Sequence, residues 1–156
     1  MLYKNINEFE KVIDRTKRIM CLDFGERKIG VALSDKTNLI AIPHSVYVRR
    51  NTRKDLGSLY SVFIENNAGS IVIGFPIDLS GIDNELCTKV ILFADRIIKK
   101  YAINIYLHDE RYSTAMATRI AKLANIKRKE SQKIDDKIAA VLILQQVLDI
   151  VKISQM

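Results

Sequence analysis

The run IMCLDF (Ile19–Phe24), the charged turn Gly25-Glu26-Arg27-Lys28 and the run IGVAL (Ile29–Leu33) decide the fold. Two short apolar segments joined by a turn that opens with glycine predict an antiparallel β-hairpin. Next along the chain, Asn38–Val48 (NLIAIPHSVYV) predicts a third strand, and Pro43, lacking an N–H, suits an edge or a bulge there. Residues 52–66 carry Leu56, Leu59, Tyr60, Phe63 and Ile64 at helical spacing. Ile71–Ile73 predicts a short buried strand that stops at Gly74-Phe75-Pro76, and Asp83–Tyr101 an amphipathic helix closed by Lys99 and Lys100. Ile103–Leu107 is a further strand, and Ser113–Ala124 and Ser131–Val151 are helices. The order β-β-β-α-β-α-β-α-α predicts an α/β fold, a five-stranded mixed sheet flanked by helices.

Upstream of the hairpin, residues 1–17 are polar, with Leu2, Ile6, Phe9 and Val12-Ile13 spaced like one helical face. They are expected to form an N-terminal extension with a short docked helix, ahead of one domain over 18–156. A chain of 156 residues, 48% hydrophobic and 28% charged, has room for one core and is neither disordered nor low in complexity. Lys plus Arg number 25 against 18 Asp plus Glu, and the net charge of +7 favours an anionic partner, nucleic acid first. The longest apolar run, Ile138–Leu144, is far short of a membrane span, and the first 18 residues lack the apolar stretch of a secretory signal. Cys21 and Cys87 stand without CxxC or Cys/His spacing, which argues against a disulfide framework or a structural zinc and fits a reducing cytosol.

Three acids sit where solubility does not explain them. Asp23 interrupts the apolar run of the first strand, and a carboxylate there is costly unless paired or bound to a cation; a place at the strand's exposed end, or a cap on the Gly25 turn, is the structural alternative. Glu110 follows the strand ending at Leu107, and ligands gather at the carboxyl ends of strands in open sheets. Asp136 shares a helical stripe with Ala140, Ile143, Val147 and Ile150, so the last helix turns it toward the core face; complementing that helix's N-terminus is the alternative. Carboxylates brought together need cations between them, and all-oxygen ligands suit Mg²⁺ or Mn²⁺, not zinc. Two such ions about 4 Å apart activate water and stabilise the leaving oxygen in phosphodiester cleavage.

That chemistry calls for basic residues to hold phosphates. Arg27-Lys28, Arg49-Arg50 with Arg53-Lys54, Arg111, and the run Arg119, Lys122, Lys127, Arg128, Lys129 and Lys133 supply them. Aromatic residues are not interleaved with these cations, so backbone contacts rather than base stacking are expected. His44 and His108 are too scattered for a nucleophilic triad, and no Gly-Lys-Ser/Thr phosphate loop occurs.

Leu22-Asp23-Phe24-Gly25 through Arg27-Lys28-Ile29-Gly30-Val31-Ala32 and Ser34-Asp35 resembles the opening signature of the YqgF (RuvX) family. Val72-Ile73-Gly74-Phe75-Pro76 with Gly81, Asp109-Glu110-Arg111 with Ser113-Thr114, and Asp136-Lys137-Ile138-Ala139-Ala140 running into Ile143-Leu144-Gln145 agree with it in order and spacing, over about 19–150. The resemblance implies a ribonuclease H-like fold related to the resolvase RuvC. It also implies nuclease activity, either in maturing the 5′ end of pre-16S ribosomal RNA or in resolving Holliday junctions, on structured RNA or branched DNA. It makes Asp23, Glu110 and Asp136 the metal-binding catalytic acids, with Arg111 at a phosphate or structural position. The family usually has Lys then Arg after the glycine turn; here Arg27 precedes Lys28, which moves the guanidinium fork by one residue. Arg27, Lys28, Arg49, Arg111 and Arg128 are the candidate nucleic-acid contacts. The expected protein is a cytoplasmic, metal-dependent nuclease, with a homo-oligomer open for a symmetric junction cutter. A non-catalytic RNA-binding assembly factor is the rival class. An actin-like ATPase with its Asp-Gly hairpin needs a longer chain.

Overall fold

The hairpin read from the sequence lies at the centre of a six-stranded sheet. The computed structural model describes residues 1–75, 84–109 and 128–154, and the side chains of the last helix only over 138–152. The elements are β1 (Leu2–Tyr3), α1 (Ile6–Glu10), β2 (Arg18–Phe24), β3 (Lys28–Ser34), β4 (Ala41–Val48), α2 (Thr52–Glu65), β5 (Ala68–Phe75), α3 (Glu85–Tyr101), β6 (Asn104–Asp109) and α4 (Arg128–Ser154). In space the strands run β1-β6-β5-β2-β3-β4. β2 pairs antiparallel with β3 and parallel with β5, β5 with β6 and β6 with β1 are parallel, and β4 closes the antiparallel side.

Strict alternation along β2 builds two cores. Met20, Leu22 and Phe24 join Ile71, Ile73, Ile105 and Leu107 on one face, covered by Leu56, Leu59 and Phe63 of α2 and Val90, Phe93 and Ile97 of α3. Ile19 and Cys21 join Ala32, Val72 and Tyr106 on the other, covered by Phe9 of α1 and by Ala140, Ile143, Leu144, Val147 and Leu148 of α4. Burying each large apolar side chain contributes about 1.5–3 kcal/mol. The two layers therefore hold the strands from both sides, as the near-continuous apolar run of β2 requires.

The expected mixed sheet is present with one strand more than the five foreseen. The addition is β1, where Leu2 and Tyr3 pair with Ile105 and Tyr106. The helix expected upstream is there, capped by the Asn5 side chain, but it ends at Glu10 and leaves Val12 exposed. Phe9 is fully buried and stacks on Tyr106 with ring centroids 5.3 Å apart. Pro43 lies on the edge strand β4, beside the register shift between Val31 and Ala32, so both structural meanings of that proline are realised. The helix expected over Ser113–Ala124 lies outside the described residues.

Candidate active site at the carboxyl end of the sheet

Asp23 is the next-to-last residue of β2 and is half-buried. Alternation from Ile19 and Cys21 puts it on the face that α4 covers. Its partner across the hairpin is Gly30. On the other side the β2–β5 ladder ends at Leu22↔Ile73, one residue before Asp23 and Gly74, and Gly74 pairs with His108. The acid thus faces a glycine across the hairpin and comes next after the last pair with β5. The result is one half-buried carboxylate near the carboxyl end of the parallel strands, with buried glycines on the strands to either side.

β6 lies one strand beyond β5 and ends at Asp109, about 10 Å from β2, two inter-strand spacings. Glu110 and Arg111 lie outside the described residues, as do the side chains of Arg128 and Asp136, although the backbone at both of the latter belongs to α4. Among the described residues no three His, Cys, Asp or Glu side chains form a metal-holding group.

The last turn of β6 is fastened to α4. His108 Nε2 is 2.9 Å from Gln146 Oε1, and the Tyr106 hydroxyl is 3.1 Å from His108 Nδ1. An amide oxygen accepts, so Nε2 carries the proton and Nδ1 accepts from Tyr106; the tautomer follows from the network. Burial first, and the nearby Asp109 charge second, hold the Tyr106 hydroxyl above its ordinary pKa, which keeps it a donor. Gln145, one residue along α4, accepts from Ala41 N at 2.8 Å and donates to Leu39 O at 3.0 Å, tying the same helix to the start of β4.

The turn after Asp23 depends on Gly25. Its N–H donates to Lys28 O at 2.9 Å, and a Cβ on this residue would stand 2.6 Å from that same oxygen. Arg27 and Lys28 are exposed on the turn. Arg49, another candidate phosphate contact, is largely committed to the fold. Its Nε donates to Asp55 Oδ2 at 3.1 Å and its Nη1 to Gly25 O at 3.3 Å, and its guanidinium lies 4.5 Å over the Phe24 ring. Asp55 is wholly buried and also accepts from Tyr47 Oη at 2.8 Å and Arg50 N at 2.9 Å. Burial works against its charge, but the Arg50 N–H, the Tyr47 hydroxyl and Arg49 outweigh it and hold the carboxyl below its ordinary value. His44 is exposed and 2.8 Å from Ser45 Oγ.

Sequence reasoning missed three elements of this region. Gly30 was visible only as part of an apolar run and a resemblance, yet it stands directly opposite Asp23, and Gly74, read as the stop of a strand, lies within β5. Asp55 was passed over, although it follows the Asn51 cap by four residues and the Arg49-Arg50 pair directly precedes that cap. Gln146 pairs with a histidine 38 positions away, which no local pattern reveals.

The family profile described as "RuvX: Holliday junction resolvase" matches residues 17–150. A protein of Ehrlichia ruminantium (strain Welgevonden) named "Putative pre-16S rRNA nuclease" is 86% identical over 156 residues, all of both chains. One of the same name from Wolbachia pipientis wMel is 53% identical over 149 residues, 96% of each chain. The large terminase nuclease of thermophilic phage G20c has a similar fold, with a TM-score of 0.51 and 11% identity over 83% of this chain and 82% of that one. With the ribonuclease H-like sheet, the profile match over 17–150 places this chain in the RuvX family.

Proposed function

We propose that this protein is a metal-dependent nuclease of structured nucleic acid, acting in 5′-end maturation of the precursor of 16S ribosomal RNA. The observation that carries the proposal is the half-buried carboxylate of Asp23 next to the carboxyl end of β2, opposite Gly30, in a chain that the RuvX family profile matches over 17–150. Family membership and the names of relatives matching over the full length support a hydrolase of nucleic acid and favour RNA.

Asp23, Glu110 and Asp136 would hold Mg²⁺ or Mn²⁺, two ions in this reading. The donor set is hard oxygen, which suits these cations and not zinc. When bound, the metal supplies an activated water and neutralises charge at the phosphate. The chain's own residues do the rest. Pairing on both edges of β2 fixes the strand that carries Asp23, and the His108–Gln146 bond keeps β6 and α4 in fixed relation. Arg27 and Lys28 on the adjoining turn, with Arg111 and Arg128, would attract the phosphate backbone, which a net charge of +7 assists. Hydrolysis adds a water oxygen to phosphorus and releases the alcohol of the neighbouring nucleotide. Cytoplasmic residence accords with two buried free cysteines. No described helix is long and apolar enough to cross a membrane.

The test compares wild type with Asp23→Asn and Asp136→Asn on structured RNA and on a four-way DNA junction, with Mn²⁺. Cleavage by wild type and a loss of at least about 100-fold in both variants is expected. Equal cleavage by all three removes these acids from the mechanism. Cleavage of the junction with the RNA intact overturns the RNA reading for a resolvase, and binding without cleavage under any metal favours the assembly factor.

A further inference from the structure

On the opposite face of the sheet from Asp23, at the same end, a cavity of about 470 Å³ lies between the Gly25 turn, the start of α2 and α3. Phe24, Arg49, Thr52, Lys89, Phe93 and Arg96 line it, with Glu26 and Leu92 at its margin. A second hollow of about 580 Å³ shares Glu26, Arg49 and Thr52 with the first and adds Arg27, Arg50 and Val48. The two form one groove that starts at the turn immediately after Asp23.

The chemistry of this groove is two-sided. Arg27, Arg50, Lys89 and Arg96 are exposed, and Arg49 closes the floor by lying over Phe24 and Phe93 at 4.5 and 5.8 Å. Glu26 stands against them and pairs with Lys89 at 3.1 Å. Leu92 and Val48 are 58% and 63% exposed, so apolar surface is open to solvent beside the cations. Cations beside accessible apolar side chains match an unpaired nucleic-acid strand, which shows both phosphates and base faces. A duplex shows its phosphates and hides its bases. The volume suits one nucleotide, since small-molecule sites run from about 300 to 1,000 Å³.

We infer that this groove is a subsite for an unpaired stretch of the substrate strand flanking the cut, entered over the Gly25 turn. The inference rests on the nuclease reading for its substrate, but strand binding is measurable without cleavage. The strand passes from the α4 face at Asp23, across Arg27 at the turn, and lays a nucleotide between α2 and α3, with phosphates toward Arg50, Lys89 and Arg96. Lys89 and Arg96 lie outside the catalytic proposal, and both are exposed on α3.

The experiment measures binding in EDTA by fluorescence anisotropy, with a blunt RNA hairpin and the same hairpin carrying a five-nucleotide unpaired tail. Wild type is expected to bind the tailed probe more tightly. Lys89→Ala with Arg96→Ala should lose about tenfold on the tailed probe and little on the blunt one, and its salt slope should fall by about 1.4. Glu26→Gln, which removes the one acid among the described residues lining the groove, should tighten the tailed probe about three- to fivefold. Circular dichroism checks that each variant is folded. Wild-type affinity of the double variant for the tailed probe, or an equal loss on both probes, overturns the groove. Displacement of the tail by polyglutamate at matched charge also overturns it, in favour of an acidic protein partner. In parallel Mn²⁺ cleavage assays, loss of cleavage in Asp23→Asn with no groove effect leaves the nuclease reading standing alone. A groove effect beside unaltered cleavage by Asp23→Asn shows the reverse.

Discussion

Replacing Arg49 by Met isolates the buried ion pair that joins β4, α2 and the Gly25 turn. The substitution keeps an apolar stem over Phe24 and removes two charged hydrogen bonds, to Asp55 Oδ2 at 3.1 Å and to Gly25 O at 3.3 Å, together with the contact of the guanidinium with the ring. Bonds to charged groups contribute about 1.5–3 kcal/mol each and the ring contact about 0.5–1 kcal/mol. The Arg49 side chain is 18% exposed, and the three terms share one group, so they are not additive. About 3 kcal/mol is the expected loss, near the lower end for breaking a buried pair, because Asp55 keeps Tyr47 Oη and Arg50 N. With an m-value of about 2 kcal/mol/M in urea, the midpoint should fall by roughly 1.5 M. The pH dependence has a fixed sign. Asp55 titrates below its unfolded value when folded, so its contribution is complete above about pH 4 and is lost as pH falls through the folded value. The stability gap between wild type and Arg49→Met should therefore narrow as pH falls through the folded value, below which the carboxyl is neutral and only the Gly25 bond and the ring contact remain. A double-mutant cycle with Asp55→Asn should return a coupling of about 1–2 kcal/mol at neutral pH. A loss under about 0.5 kcal/mol at pH 7, or a gap that does not change with pH, refutes the assignment of Arg49 to the fold.

Gly25→Ala places a methyl 2.6 Å from the Lys28 carbonyl oxygen and should cost about 2 kcal/mol, seen as a fall of roughly 4–8 °C in Tm. Phe9→Ala empties a fully buried site against Tyr106 and should cost about 3 kcal/mol in urea unfolding; a near-neutral result would mean that residues 1–17 contribute little to the core. Gly30→Val puts a branched side chain at the buried position opposite Asp23, and cleavage should drop at least about tenfold while the circular dichroism spectrum is kept. Full activity in that variant would show that the reaction does not depend on a glycine opposite Asp23.

The central hairpin was legible because its two runs, glycine turn and β-branched residues agree at every level, and the strand β4 because Pro43 admits few other places. The amphipathic faces of α2 and α3 were legible from periodicity for the same reason. β1 was not, because two residues carry no period and Leu2 and Tyr3 become a strand only by docking on Ile105 and Tyr106. Tertiary pairing, not local propensity, makes that element. Of the site, the acid in β2 was readable as an interruption of an apolar run. The bond between His108 and Gln146 and the closure of Arg49 on Asp55 depend on which elements the fold brings together.

Asp23 sets up a conflict within its strand. A carboxylate in a fully packed central strand loses its hydration, and even a paired one costs several kcal/mol. Asp23 limits that cost by its place one residue from the end of β2, where it stays half-buried while Ile19–Leu22 are buried outright. Gly30 faces it across the hairpin. Glycine in a strand interior weakens it by roughly 0.5–1 kcal/mol relative to alanine, so this position gives up sheet stability for a small neighbour opposite the acid. Pairing of β2 with β3 and β5, and burial of Leu22 and Phe24 on the far face, hold the strand firmly enough to tolerate it. The same geometry explains why the acid stands next to the carboxyl end of its strand and not in mid-sheet: in open sheets ligands gather at that end, and the basic turn follows it directly.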